Sequence, residues 1–137
     1  MKLVPIPTTD EYLNKTFPLW FPFLQNISRR SKEPVRDMLA AINRKDIQLV
    51  LFWDEDEKKP LALLGLRVIK RGDDLIGELV WLTGSGMKRW THLLPMVEQY
   101  LKHLGCVEAR PICRKGWSRL LLQHGYRTTH LTMEKVL

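Results

Sequence analysis

The chain has 137 residues, 45% of them hydrophobic, with 22 Lys and Arg against 15 Asp and Glu and a net charge of +7. That length suits a single domain over 1–137 with one filled core. No apolar run approaches the roughly 20 residues of a membrane span, and Met1 to Pro7 lack the order of a secretory signal, so the expected setting is the cytoplasm, or a particle assembled there, with no membrane partner.

The elements read as follows in chain order. Lys2 to Ile6 is a short strand closed by Pro7, and Thr8, Thr9 and Asp10 offer N-cap oxygens for a helix. Glu11 to Arg30 carries Tyr12, Leu13, Phe17, Trp20, Phe21, Leu24 and Ile27 at near-helical spacing, and Pro18 and Pro22 predict a kink or two short helices. A second helix runs from Glu33 or Pro34 to Asn43, with Val35, Met38, Leu39 and Ile42 on one stripe. The period then changes. Ile47 to Trp53, Leu61 to Ile69 and Leu75 to Thr83 are strands of an antiparallel meander, joined by the Asp54–Pro60 loop and the Arg71-Gly72-Asp73-Asp74 turn.

Gly84-Ser85-Gly86 closes the third meander strand. A helix over Met87 to Leu104 follows, with Trp90, Leu93, Leu94, Val97, Tyr100, Leu101 and Leu104 at steps of three and four, and Gly105 as its C-cap. Pro95 inside it predicts a kink or a late start. Cys106 to Ile112 is a strand, Lys115 to His124 a short helix ending at Gly125, and Tyr126 to Leu137 a final strand.

The charge is uneven. Between Gly84 and Leu137 nine Lys or Arg stand against three acids, a local net charge of +6. Such a stretch suits a phosphate-bearing partner, whether nucleotide cofactor, nucleic acid or acidic protein; the alternative is a solvated basic face. Trp90 and Trp117 lie among these cations and Trp81 just before them, where aromatics can stack on bases, although Trp90 falls on a core stripe. Cys106 and Cys113 lie seven residues apart, too close along one strand to close a disulfide. No CxxC pair or His cluster has ligand spacing, so no metal is expected. Cys113 beside Arg114 and Lys115 is a candidate for a lowered thiol pKa.

The order of elements is strand, two helices, three-strand meander, Gly loop, helix, strand, helix, strand. With the strand–Gly loop–helix of Leu79 to Leu104 and the Gly125-Tyr126 step into the last strand, it resembles the GNAT family of acyl-CoA-dependent N-acyltransferases. The resemblance implies an α/β fold: a mixed, mainly antiparallel sheet of about six strands flanked by about four helices. It also implies acetyl-CoA or another acyl-CoA as donor and a primary amine as acceptor, with the donor held between Leu79–Lys88 and the strand after Gly105. Leu82, Thr83, Gly84, Ser85, Gly86, Met87, Lys88 and Arg89 would form the phosphate-binding loop at a helix N-terminus. Arg114 and Trp117 would line the cleft, a backbone N–H of the third meander strand would polarise the thioester, and Glu78 resembles a catalytic base.

Three positions depart from the family pattern. Trp81 stands where the loop has Gln or Arg, Arg114 where many members have Asn, and Leu121 where many have a proton-donating Tyr. These departures leave open whether the chain is an enzyme. The compressed basic ending, with Gly105-Cys106, Arg114 to Arg119, Gly125-Tyr126-Arg127 and Glu134-Lys135, is similar to small GNAT-like proteins encoded by bacteriophages. The alternatives are therefore a non-catalytic binding or virion assembly protein with a protein partner, and a nucleic-acid-associated protein using the basic C-terminal half.

Overall fold

Five strands lie side by side in the order of the sequence, β1 (Lys2–Pro5), β2 (Gln48–Asp54), β3 (Lys59–Arg71), β4 (Asp74–Gly84) and β5 (Cys106–Pro111). The structure, a computed structural model, describes residues 1–85, 91–113 and 115–137, with Lys115 described in its backbone alone. The first four strands pair antiparallel and β5 joins β4 in parallel. The helices are α1 (Asp10–Ser31), α2 (Val35–Asn43), α3 (Leu94–His103) and α4 (Lys115–Gln123). Among the described residues, a mixed α/β sheet flanked by four helices is the expected architecture.

Two cores explain the dense apolar strands. Leu49, Leu51, Leu63 and Trp81 face α1 and α2, packing on Leu13, Trp20, Leu24, Met38 and Ile42. Val50, Phe52, Leu64, Leu66 and Leu79 face α3, packing on Val97 and Leu101. A strand covered on both sides need not alternate with polar residues, hence the unbroken Leu49 to Phe52 run.

The helix over 10–31 is continuous, where the two prolines predict a break. Pro18 and Pro22 both sit on its exposed side. There water can serve the carbonyls that each missing N–H leaves free, while Leu13, Trp20 and Leu24 hold the opposite side in the core. The Pro95 helix starts late, at Leu94, behind a 3-10 turn at Thr91–Leu93, with Pro95 at its N-terminal end. Residues 86–90, where the expected helix begins, lie outside the described residues.

The final strand does not form. Residues 126–137 join no ladder among the described residues, so the sheet has five strands rather than six. Leu131, Met133, Val136 and Leu137 are at least 80% exposed. The apolar pattern is strand-like, but a strand needs a hydrogen-bonding neighbour and a face to bury, and this segment has neither.

Candidate functional site

The strand β4 changes neighbours along its length. Its parallel pairing with β5 runs from Leu75↔Cys106 to Leu79↔Pro111, and the Ile112 N–H still donates to the Leu79 carbonyl at 3.0 Å. From Val80 to Gly84 only β3 pairs with it among the described residues. The β3 register also slips at this point. Gly65 faces Trp81 and Leu66 faces Leu79, so Val80 is an extra residue on β4. Such a bulge bends and twists its strand. The edge of β4 that β5 leaves therefore begins at the bulge.

The two faces of this stretch differ. Leu82 packs against the core under α3. On the other face Thr83 is buried and its Oγ1 accepts from Asn26 Nδ2 of α1 at 3.2 Å. Trp81 lies on that face too, over Gly65, where a Cβ would stand 2.6 Å from the indole. Its Nε1 donates to Glu33 Oε2 at 3.4 Å. Glu33 is in the short connection between α1 and α2, and its backbone is fixed from both sides. Ser28 Oγ donates to its carbonyl, and its N–H donates to Ser31 Oγ at 3.2 Å. Lys32, with φ of 63°, makes the turn that brings it there.

Glu78 is buried at 7% exposure, in line across three strands with Arg67 on β3 and Arg110 on β5. Arg67 Nε and Nη2 both donate to its Oε1, at 2.9 and 2.8 Å, and Arg110 Nη1 stands 3.6 Å from Oε2. The row ties β3, β4 and β5 together just before the bulge. A second bridge, from Arg71 to Glu108 at 2.7 Å, links β3 to β5 at the surface, and its hydrogen bond holds the Glu108 carboxyl below its ordinary range.

The remaining candidate residues fall as follows. Gly84 meets β3 so closely that a Cβ would lie 2.5 Å from the Leu61 carbonyl and 2.4 Å from the Ala62 Cβ. The Ser85 N–H donates to the same Leu61 carbonyl at 3.0 Å. Trp117 on α4 packs against the core under α3. Gly86, Met87, Lys88, Arg89 and Arg114 lie outside the described residues. Leu121, at the place that resembles the family's Tyr, is buried. Cys106 and Cys113 are both free. Desolvation pushes the Cys113 thiol up, contrary to the lowered value that its basic neighbours suggest.

Four contributors escaped the sequence. Val80 as a bulge, and Arg67 and Arg110 around Glu78, depend on strand register. Glu33 depends on how α1 and α2 close over β4. A further tie is Tyr126, whose hydroxyl donates to Glu98 Oε2 on α3 at 2.9 Å; burial first, then this bond, raises its pKa. The Gly-aromatic step was visible, with Gly125 at φ of 87° and the Tyr126 N–H on the Leu121 carbonyl. A surface depression lined by Lys45, Asp46, Gln48 and Arg67 lies beside Leu66–Ile69 of β3, away from the stretch that pairs with Val80–Gly84.

No family model matches the sequence, and no curated protein matches it. Solved structures do match the fold. An acetyltransferase of Trypanosoma brucei is similar at TM-score 0.63 and 14% identity, covering 99% of each chain. An aminoglycoside acetyltransferase from an uncultured soil metagenomic sample, solved with sisomicin, is similar at TM-score 0.65 and 12% identity, over 99% of this chain and 95% of that one. The glucosamine-6-phosphate N-acetyltransferase of Arabidopsis thaliana is similar at TM-score 0.59 and 15% identity, over 98% and 97%. At such identities the likeness is one of fold.

Proposed function

We propose that the chain is an acyl-CoA-dependent N-acyltransferase, with acetyl-CoA its expected donor and a primary amine its acceptor. The observation that carries this reading is the departure of β5 from β4 at a bulge. Backbone N–H and C=O groups need partners, and the stretch from Val80 to Gly84 has a ladder on its β3 side only, among the described residues. The amide-bearing arm of an acyl-CoA can lie along that edge as a strand would. The donor set of the site, a backbone edge followed by Ser85, Gly86, Lys88 and Arg89, fits an amide chain that ends in phosphates.

The bound thioester supplies an activated acyl group, and the chain's own residues do the rest. Leu82, Thr83 and Gly84 orient the donor along β4. Gly86, Met87, Lys88, Arg89 and Arg114 hold the phosphate end, and Trp117 backs the cleft from α4. A β4 backbone N–H at the bulge polarises the thioester carbonyl. Glu78 is assigned the base role, taking the amine proton once one of its oxygens is released by Arg110, the longer of its contacts at 3.6 Å; the amine nitrogen bonds to the acyl carbon as the C–S bond breaks, and coenzyme A leaves as the thiolate, which takes its proton from solvent. The resemblance of the fold to acetyltransferases supports this reading.

Saturating acetyl-CoA tests it. At 100 times its dissociation constant a ligand adds roughly 2.7 kcal/mol to stability, several degrees of melting temperature for a domain of this size. Equal melting with and without acetyl-CoA sinks the proposal. Glu78→Gln separates the base role from binding: acetyl-CoA protection persists while turnover falls at least tenfold. A second reading is a binding or assembly protein that kept the fold without turnover. The buried aliphatic Leu121 favours it, since nothing at that position can protonate a departing thiolate. Protection by acetyl-CoA with no acylation of any amine selects this second reading.

A further inference from the structure

We infer that Glu33 selects the acceptor, and that the acceptor is a cationic amine carrying an ammonium group besides the one acylated. The inference rests on the acyltransferase reading and names the substrate class of the same site. Its basis is a carboxylate built into place without a cation. Two serine hydroxyls fix the backbone of Glu33. The side chain reaches inward to Trp81, the residue after the bulge, on the α1/α2 face of β4. Its partner there is a neutral indole N–H at 3.4 Å. Among the described residues no Lys or Arg pairs with it, although Arg29, Arg30, Lys32 and Arg36 surround it in sequence. Those four are exposed, and Arg36 lies 3.8 Å from Asp37 instead.

A half-buried carboxylate with one neutral donor is under-compensated. An ammonium placed beside it gains a charge-assisted bond. The neighbouring groups suit the same visitor. Asn26, whose Nδ2 donates to Thr83 Oγ1, sits on this face and its side-chain amide oxygen can accept an N–H donor. Arg29, Arg30, Lys32 and Arg36 are exposed to solvent, where the high dielectric weakens their repulsion of a visiting cation.

Binding and turnover are measured separately, with spermidine as the polycationic primary amine and taurine as an anionic one. Isothermal titration of the full chain is expected to show spermidine binding at least tenfold tighter than taurine. Glu33→Gln keeps an acceptor for the Trp81 indole and removes only the charge. It is expected to weaken spermidine at least tenfold and to leave the acetyl-CoA melting shift unchanged. Where turnover occurs, the loss falls on the spermidine KM rather than on the acetyl-CoA KM. Equal spermidine affinity in the two proteins, or a preference for taurine, overturns the inference. Failure of the acyltransferase reading shows itself elsewhere, as a missing acetyl-CoA shift.

Discussion

Tyr126 shows how much one side chain can join. Its hydroxyl crosses from the end of α4 to Glu98 on α3, and its N–H closes the turn that Gly125 opens. Burial and the bond to Glu98 raise its pKa, so the folded state holds the proton more tightly than the unfolded chain does. A raised value stabilises the fold below the ordinary phenol pKa near 10, and that contribution is lost as pH rises past it. Cys106, whose thiol is raised by desolvation, acts in the same direction from about pH 9. Stability by urea unfolding is therefore expected to fall above about pH 9. Tyr126→Phe is expected to cost about 1 kcal/mol at neutral pH through the lost hydrogen bond and to flatten the decline above pH 10. An alkaline limb unchanged in this variant refutes the assignment.

At the scale of elements, glycines mark where backbone rather than side chain sets the distance. Gly84 resembles a phosphate-loop glycine, yet its close approach is to β3: an added Cβ meets the Leu61 carbonyl at 2.5 Å and the Ala62 Cα at 2.7 Å, backbone atoms that cannot step aside. Gly116 on α4 has nothing within 4 Å of an added Cβ. Gly84→Ala is expected to destabilise by about 1–3 kcal/mol, as overpacking does. Gly116→Ala is expected to stabilise by about 0.5–1 kcal/mol, by restricting the unfolded chain at an open helical position. Denaturant midpoints of both variants check the pair, and a neutral Gly84→Ala contradicts the packing reading.

At the scale of the molecule, a sheet covered on both sides supports a basic C-terminal half. The net charge of +6 between Gly84 and Leu137 should be read by any phosphate-bearing ligand of the β4 edge. Acetyl-CoA affinity is expected to fall as salt rises from about 50 to 300 mM, since screening shortens the reach of these charges. Replacing Lys88 and Arg89 together with Gln is expected to weaken acetyl-CoA roughly tenfold, the equivalent of ~1.4 kcal/mol, and to blunt that salt response. Duplex DNA binding that survives this double change would instead point to the nucleic-acid reading.

Much of this protein was determined by its sequence alone. Apolar periodicity placed α2, the meander and β5 within a residue or two at each end, because those segments bury a fixed face and period follows from the element. Pro95 allowed a kink or a late start, and α3 takes the late start, since a helix's first turn has no N–H partner for proline to remove. Glu78 was placed on the third meander strand, and β4 carries it. Other features were decided by tertiary contacts. Pro18 and Pro22 did not break α1, because both face water while the opposite side is held by the core. The last twelve residues have a strand's pattern but pair with no strand among the described residues, and pairing is not a local property. The Val80 bulge and the Arg67–Glu78–Arg110 row arise from register between strands, and the seating of Glu33 on Trp81 from the closure of α1 and α2 over β4. A side chain's neighbours across a sheet change completely with a one-residue slip, so the chemistry of this site follows from pairing that only the folded chain fixes.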